Sequence, residues 1–104
     1  MQRKIYRTRL RPEYREAYIE AHRNISSDLL RRYRDAGVSV CAVYILGDDM
    51  ILLVEAEDSA KTAAILAEDP VDQQWQSYLR PMKADGDWQE MDELFFVDLL
   101  RGPV

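Results

Sequence analysis

The chain has 104 residues, 47% of them hydrophobic and 32% charged, and a formal net charge of −5, which predicts one folded domain over residues 1–104. This acidic balance excludes the basic surface that binds nucleic acid and disfavours anionic membranes, and no segment approaches the roughly 20 apolar residues that span a bilayer. The single cysteine, Cys41, excludes an internal disulfide and a cysteine-rich metal site, and it favours a reducing, cytoplasmic location.

A first strand and a first helix are predicted in the N-terminal third of the chain. Residues 4–10 (KIYRTRL) alternate well enough to form a strand. Pro12 suits the first turn of a helix, and helical periodicity then continues to Ala36, so we predict one helix over 12–36. Its apolar stripe consists of Tyr14, Tyr18, Ala21, Ile25 and Leu29. Gly37 follows at the position where a left-handed closing residue is expected.

A hairpin is predicted next. Residues 38–46 (VSVCAVYIL) are nearly all apolar and rich in β-branched side chains, and residues 50–57 (MILLVEAE) form a second run of this kind. Gly47-Asp48-Asp49 between them is a turn signal, so we expect the two runs to pair as antiparallel strands.

Two helices and a last strand complete the predicted order. Their ranges are 59–68 and 71–82 for the helices and 91–100 (MDELFFVDLL) for the strand. Asp58 or Ser59 is expected to cap the first of these helices. A loop containing Gly86 and Trp88 is expected before the strand.

The resulting order, β-α-β-β-α-β, is the split βαβ or ferredoxin-like arrangement of an α+β protein. It places the helices on one face of a four-stranded antiparallel sheet, and the other face should be polar in a monomer. The second strand is instead apolar on both faces, with Val38, Val40, Ala42, Tyr44 and Leu46 on one face and Cys41, Val43 and Ile45 on the other. Because a second copy of the chain is the simplest cover for such a face, we predict a homodimer packed sheet to sheet, as in a dimeric α/β barrel.

Two arginines interrupt the apolar pattern of the first strand. Arg7 and Arg9 share a face with Ile5, in a strand that is central in this topology. The simpler interpretation pairs them with Glu55 or Glu57 on the neighbouring strand, or leaves them in solvent at the end of the sheet, since buried charges need partners. The alternative is an anion or sugar-hydroxyl site, because a guanidinium supplies several donors in a fixed geometry.

His22, the only histidine, is the first candidate for chemistry. It follows Tyr18 by four residues, so the two side chains are neighbours on the surface of the predicted helix. Histidine titrates near neutral pH and can pass protons without a cofactor. The simpler interpretation is a hydrogen-bonded histidine at the edge of the core, with Tyr18, Trp75 and Trp88 as packing residues. Flat aromatic faces are also typical of carbohydrate pockets.

Several segments resemble the L-rhamnose mutarotase family. They are Arg3-Lys4, residues 16–22 (EAYIEAH), Gly37-Val38, Ala42-Val43-Tyr44, residues 72–78 (DQQWQSY) and residues 93–96 (ELFF). The resemblance covers essentially the whole chain, and its most specific element is the Tyr-x-x-x-His pair at its distance from the N-terminus. Members of that family are cofactor-free dimeric enzymes with the ferredoxin-like fold, and they interconvert the α and β anomers of a 6-deoxy sugar.

The resemblance implies roles for the candidate residues. His22 would be the acid/base, Tyr18 a substrate-contacting hydroxyl and Trp75 part of the pocket wall. The further substrate-binding candidates are Tyr44, Cys41 and Gln76. The implied substrate is a free monosaccharide such as L-rhamnose, and no metal or other cofactor is implied, because anomer exchange requires proton transfers alone.

The chain departs from the family pattern at several positions. Ser26 and Ser27 stand where the family has a Trp-Pro pair, and Cys41 stands where it presents a substrate-contacting tyrosine. Gln76 replaces the second of two adjacent tryptophans. These differences bear on which sugar is preferred and on whether the chain is active.

Two alternative functions therefore stay open. The first is another cofactor-free enzyme on the dimeric α/β-barrel scaffold, such as a small monooxygenase or an isomerase of an acidic or aromatic substrate. Arg7 and Arg9 facing the cavity would favour it. The second is a non-catalytic binding dimer, which would have a collapsed pocket with Tyr18 and His22 packed dry against the second strand.

Overall fold

The computed structural model describes residues 1–84 and 87–100. In these ranges it contains four strands and four helices, and it confirms the predicted α+β fold. In chain order they are β1 (Gln2–Arg9), α1 (Arg15–Arg23), α2 (Ser27–Asp35), β2 (Val38–Leu46), β3 (Asp49–Ala56), α3 (Ser59–Ala67), α4 (Pro70–Leu79) and β4 (Gln89–Met91). Short 3-10 turns at Pro12–Tyr14 and Arg80–Met82 precede α1 and follow α4. Gly86, expected in a loop, lies outside the described residues.

The sheet has the strand order β2-β3-β1-β4, and all neighbouring strands are antiparallel. Ile5 on β1 pairs with Leu53 on β3 and with Met91 on β4. The first strand is therefore internal, as the ferredoxin-like topology requires. None of the helices described is long and apolar enough to cross a membrane.

The prediction of one continuous helix over 12–36 is wrong, because the helix is interrupted between α1 and α2. Asn24 Nδ2 donates to the Glu20 carbonyl oxygen at 3.0 Å, which ends α1. Ser26 has extended backbone angles, and its Oγ accepts from Leu29 N at 3.1 Å as the N-cap of α2. Short polar side chains that bond the backbone favour such caps over helix interiors. The interruption turns Ile25 towards the space beneath the helices.

A bulge at the start of β2 changes the predicted face of Val38. Val38 pairs with Ala56 while Val40 pairs with the adjacent Glu55, so β2 uses two residues against one of β3. Val38 consequently faces the helices together with Cys41, instead of sharing the outer face with Val40.

Gly37 is the residue at which the chain turns from α2 into β2. It has φ +105°, as predicted for a left-handed closing residue. A Cβ at this position would lie 2.9 Å from Thr62 Oγ1. Since that hydroxyl donates to the Ala36 carbonyl oxygen at 2.7 Å, it holds α3 against the end of α2.

The prediction of a last strand over 91–100 is largely wrong. β4 ends at Met91, and residues 92–98 join no strand. The ladder runs from Gln89 opposite Arg7 to Met91 opposite Ile5, so only the first few residues of β1 remain beyond it. The apolar residues after Met91 therefore have almost no further residues of β1 with which to pair. Its side chains are mostly exposed, and Leu94 is 99% exposed.

The buried core lies between the sheet and the helices. Its residues are Leu10, Tyr18, Met50, Leu79 and Met82, with Ala21, Trp75 and Trp88 packed against them. Beside this core, the side chains of β2, β3 and the helices enclose a cavity. The core and the cavity are contiguous, since Tyr18 and Leu79 belong to the core and also line the cavity.

The opposite face of the sheet is not covered by helices, and we call it the open face. By strand alternation it carries Ile5, Arg7 and Arg9, because their partners on β3 alternate with the cavity-lining Leu52 and Val54. The expectation that Arg7 pairs with Glu55 or Glu57 is wrong: Arg7 Nη2 lies 2.8 Å from Asp49 Oδ1. Glu55 instead binds Arg3, with Nη2 and Oε1 2.6 Å apart. Neither Arg7 nor Arg9 lines the cavity.

Candidate active site

The cavity lies between the helices and the sheet and has a volume of about 410 Å³. This volume falls within the range of about 300–1,000 Å³ that is common for small-molecule sites. Half of the residues that line it are aliphatic, including Ile25, Val43, Leu52, Val54 and Leu66. Its polar side chains come from α1, α2, α4 and β2, so it has the character of a site for a small amphiphilic molecule.

His22 lines this cavity from the last turn of α1. Its Nδ1 lies 2.9 Å from the backbone carbonyl oxygen of Tyr18. A carbonyl oxygen can only accept, so Nδ1 carries the proton in the neutral ring. Nε2 is then the unprotonated nitrogen, available to a ligand as a base.

The surroundings of His22 favour its neutral form. Burial lowers its pKa below the ordinary value, and the nearby positive charge of Lys83 lowers it further, against the opposing effect of the Tyr18 carbonyl. The ring is nevertheless only partly buried. A neutral imidazole that remains open to the cavity is suited to accept a proton at neutral pH.

Tyr18 and Trp75 surround the imidazole with aromatic rings. The Tyr18 ring stacks on His22 with centroids 4.4 Å apart, and Trp75 meets it edge-on at 5.3 Å. Tyr18 is 3% exposed, and burial raises the pKa of its phenol, so the hydroxyl keeps its proton. It can therefore donate or accept a hydrogen bond without taking a charge.

A second polar group lies in the same cavity, and we call it the acceptor cluster: Tyr33, Asp72 and Gln76. Tyr33 Oη donates to Asp72 Oδ1 at 2.7 Å, and Gln76 Nε2 donates to the same oxygen at 3.3 Å. Cys41 also lines the cavity, and burial together with the charge of Asp72 raises the pKa of its thiol. Cys41 is therefore a neutral thiol here.

The structure brings five of the six predicted site residues to one cavity. These are Tyr18, His22, Cys41, Trp75 and Gln76. Tyr44 is not among them, because it is one residue away from Val43 on β2 and points to the open face, where it is 60% exposed. Strand alternation therefore separates Tyr44 from the candidate site.

Sequence analysis missed Tyr33 and Asp72 as cavity residues. The available signal was the spacing on α4, where Asp72, Trp75 and Gln76 stand at i, i+3 and i+4 and so share a helix face. An acidic residue on the same face as a pocket tryptophan points to a polar cavity wall. Tyr33 carried no such signal, since its contact with Asp72 spans 39 positions of sequence.

Ser26 and Ser27 lie away from this wall. Both are exposed, and Ser26 caps α2. Within the described residues, no group of three or more His, Cys, Asp or Glu side chains is arranged to hold a metal ion.

Comparison with known families extends over nearly the whole chain. A family model described as L-rhamnose mutarotase matches residues 3–97. This range includes all the residues that line the cavity. No curated protein sequence matches the chain.

Solved structures with a similar fold have varied activities. The crystal structure of an L-rhamnose mutarotase from Formosa agariphila aligns with a TM-score of 0.77 at 17% identity, covering 94% of this chain and 100% of that one. An antibiotic biosynthesis monooxygenase aligns with a TM-score of 0.65 at 14% identity, covering 90% and 99%. Tetracenomycin F2 cyclase from Streptomyces glaucescens, a type-II polyketide cyclase, gives 0.63 at 17%, covering 94% and 98%. At these identities the three structures establish the fold alone.

Proposed function

Because the chain belongs to the L-rhamnose mutarotase family, we propose that it is a mutarotase that interconverts the α and β anomers of a free aldose. The observation that carries this proposal is the arrangement of His22, whose Nδ1 is bound to the Tyr18 carbonyl beside the aromatic wall of an open cavity. His22 is only partly buried and lines a cavity of about 410 Å³, which differs from the collapsed pocket expected of a non-catalytic dimer. Arg7 and Arg9 on the open face remove the feature that would have favoured an acidic substrate.

The proposed reaction uses His22 Nε2 in both directions. Nε2 takes the proton of the anomeric hydroxyl while the bond between the anomeric carbon and the ring oxygen breaks, and the imidazolium gives that proton to the ring oxygen. The open aldehyde rotates about its bond to the next carbon, and the same steps in reverse close the other anomer. Atoms and charges balance within the sugar and the imidazole, so the reaction requires no metal or redox cofactor.

Tyr18 and Trp75 position the sugar in this proposal. The protonated Tyr18 hydroxyl contacts an oxygen near the reacting centre, while the Trp75 ring supplies a flat apolar wall for one face of the pyranose. Gln76 and Cys41 complete the substrate-binding residues on the other side. General acid–base catalysis by a positioned side chain typically contributes about 10²–10⁴-fold, which is useful for an exchange that already proceeds slowly in water.

A 6-deoxy sugar such as L-rhamnose is the proposed substrate. The aliphatic wall of the cavity matches the methyl group and the apolar face of a 6-deoxy sugar. In contrast, a phosphorylated sugar would bring an anion into a wall where, among the described lining residues, there is no lysine or arginine.

We also propose that two chains pack through their open faces. Val40, Tyr44, Leu46 and Met91 leave an exposed apolar surface there, of the kind that marks association sites on otherwise soluble domains. The apolar residues that follow β4 extend this surface, with Phe96 seated on the Arg3 guanidinium at 4.0 Å. A two-fold pair would cover the same patch on both copies at once.

Saturation-transfer NMR of anomeric protons tests the activity directly. Added protein should accelerate exchange between the two anomeric signals of L-rhamnose, with L-fucose and other aldoses measured alongside it. Acceleration confined to one sugar or a few related sugars would support the proposal. If no aldose in the panel exchanges faster with the protein than without it, the mutarotase assignment is wrong.

A further inference from the structure

The acceptor cluster is built from two helices and is buried. Asp72 and Gln76 stand one turn apart on α4, and Tyr33 reaches them from α2. Asp72 is only 8% exposed, yet it lines the cavity. A buried carboxylate is costly to maintain unless hydrogen bonds satisfy it, so its place in the wall calls for an explanation beyond packing.

The hydrogen bonds within the acceptor cluster leave acceptor atoms available to a ligand. An ionised carboxylate accepts about four hydrogen bonds through its two oxygens. Tyr33 and Gln76 both donate to Oδ1, and no other described residue donates to the carboxylate oxygens. Tyr33 has thereby used its only side-chain donor, and Gln76 keeps its carbonyl oxygen as an acceptor. The cluster therefore presents mainly acceptors to the cavity.

The charged groups around the acceptor cluster also disfavour an anionic ligand. Arg32, which precedes Tyr33 on α2, is bound to Asp69 at 3.0 Å and to Asp28 at 3.3 Å. Lys83 lies over the Trp88 ring and 3.9 Å from Asp87. No basic side chain other than His22 is present among the described lining residues. An anionic ligand would meet Asp72 without a counter-ion.

Trp75 connects the cluster to the proposed acid/base. It follows Asp72 by three residues on α4, so the two share a helix face about one turn apart. The Trp75 ring also contacts His22, at a centroid distance of 5.3 Å. Since His22, Trp75 and the acceptor cluster line one cavity, a sugar ring lying on Trp75 would have His22 and the acceptor cluster in the same cavity.

We propose that the acceptor cluster determines the specificity of this cavity by accepting hydrogen bonds from ring hydroxyls of a neutral aldose, while excluding sugar acids. The proposal rests on the proposed function, since it assigns the second end of the same substrate. Asp72 is the direct acceptor. Tyr33 is a positioning residue that holds the carboxylate, and Gln76 both holds it and adds its own carbonyl oxygen.

The test compares Asp72→Asn with wild type, using L-rhamnose as the probe. The amide keeps the shape of the side chain but loses the charge and one acceptor, so KM for anomer exchange should rise about 10-fold or more while kcat stays within about 3-fold. Asp35→Asn, which removes a carboxylate from exposed Asp35 at the end of α2, is the matched control and should leave KM unchanged. An unchanged KM in Asp72→Asn overturns the inference while leaving the mutarotase assignment intact.

A double-mutant cycle separates positioning from a general packing role. Tyr33→Phe should raise KM in the wild-type background and add little in the Asp72→Asn background, because it acts through that carboxylate. Equal and additive effects in both backgrounds would mean that Tyr33 does not act through Asp72.

Binding and charge provide readouts that do not depend on turnover. L-Rhamnose should shift the Gln76 side-chain amide signals of wild type, and this shift should weaken in Asp72→Asn. If the shift occurs without any acceleration of exchange, the mutarotase assignment is wrong and the acceptor cluster stands. If the sugar leaves these signals unmoved, the inference is wrong.

D-Galacturonate should compete with L-rhamnose several-fold better in Asp72→Asn than in wild type, and equal competition would contradict exclusion by charge.

Discussion

The two faces of the sheet differ in how they treat polar groups. On the face covered by helices, the polar side chains converge on a cavity and bind one another or the backbone, as His22 does with Tyr18. On the open face, Arg3 pairs with Glu55 and Arg7 pairs with Asp49, in each case between neighbouring strands. Such surface ion pairs contribute little to stability.

This difference assigns separate tasks to the two faces. Under the proposed function, the reaction takes place in the cavity between the helices and the sheet, and two chains associate through the apolar side chains of the open face. Substitutions on one face should therefore leave the task of the other face unaffected. The following predictions test that separation, from the largest expected effect to the smallest.

His22→Ala should abolish anomer exchange with little change in stability. Loss of the acid/base removes a contribution of about 10²–10⁴-fold, while the imidazole is only partly buried. Saturation-transfer NMR and thermal unfolding give the two readouts. A parallel loss of folding and activity would instead indicate that His22 is a packing residue.

Val40→Lys on the open face should weaken the proposed dimer by about 100-fold or more, because it would bury an ammonium group at the interface opposite Glu55, whose carboxylate already binds Arg3. Sedimentation velocity over a dilution series measures this. The matched control is Ile65→Lys on α3, since Ile65 is 42% exposed and Val40 is 41% exposed. A wild-type chain that sediments as a monomer at all concentrations would refute the open-face assignment.

Tyr18→Phe should lower the rate of exchange by about 10-fold, because one hydrogen bond to the reacting sugar is lost. Tyr44→Phe makes the same chemical change on the open face and should leave the rate unaltered. Rates of both variants are compared at saturating L-rhamnose. If Tyr44→Phe has the larger effect, the cavity is not the reaction site.

Exchange activity should fall as the pH is lowered through the pKa of His22. Burial and Lys83 lower that pKa from 6.5, so the neutral base is present at pH 7 and is lost by protonation only below about pH 6.5. The profile should be flat above neutrality and decline several-fold at more acidic pH. Activity that rises on acidification would mean that the imidazolium is the form required at the start.

Cys41→Ala should change activity by less than about 2-fold. Its thiol is neutral and makes no hydrogen bond with another described residue, so the substitution removes little more than a small part of the cavity wall. Exchange rates across the aldose panel test this. A large loss would mean that the Cys41 thiol itself, and not only the small volume it fills in the cavity wall, is needed to bind the sugar.

The sequence was informative about elements with a strong local signal. Residue spacing located Tyr18 and His22 on one helix, and the turn at 47–49 located the hairpin. The interruption at Asn24–Ser26 was missed because apolar periodicity continues across it, while two polar side chains bonded to the backbone end one helix and begin the next. Asp72 was missed as a site residue because its partner Tyr33 is distant in sequence.

The end of the last strand and the face of Val38 could not be predicted from local sequence for a second reason. β propensity predicted a strand over 91–100, but the neighbouring strand offers almost no edge beyond Met91. A single extra residue in β2 reversed the face of Val38, and a pattern of period two contains no sign of a bulge when residues on both sides are apolar. Both outcomes depend on pairing between strands, which local patterns do not determine.

The interrupted helix has a consequence for how the pocket could diversify. His22 is held by the backbone of its own helix, whereas Ile25 belongs to the short turn that follows. Changes in that turn can reshape the wall without tilting the imidazole. Under the proposed function, substitutions in this turn would change which sugars fit the cavity while leaving the bond between His22 Nδ1 and the Tyr18 carbonyl intact.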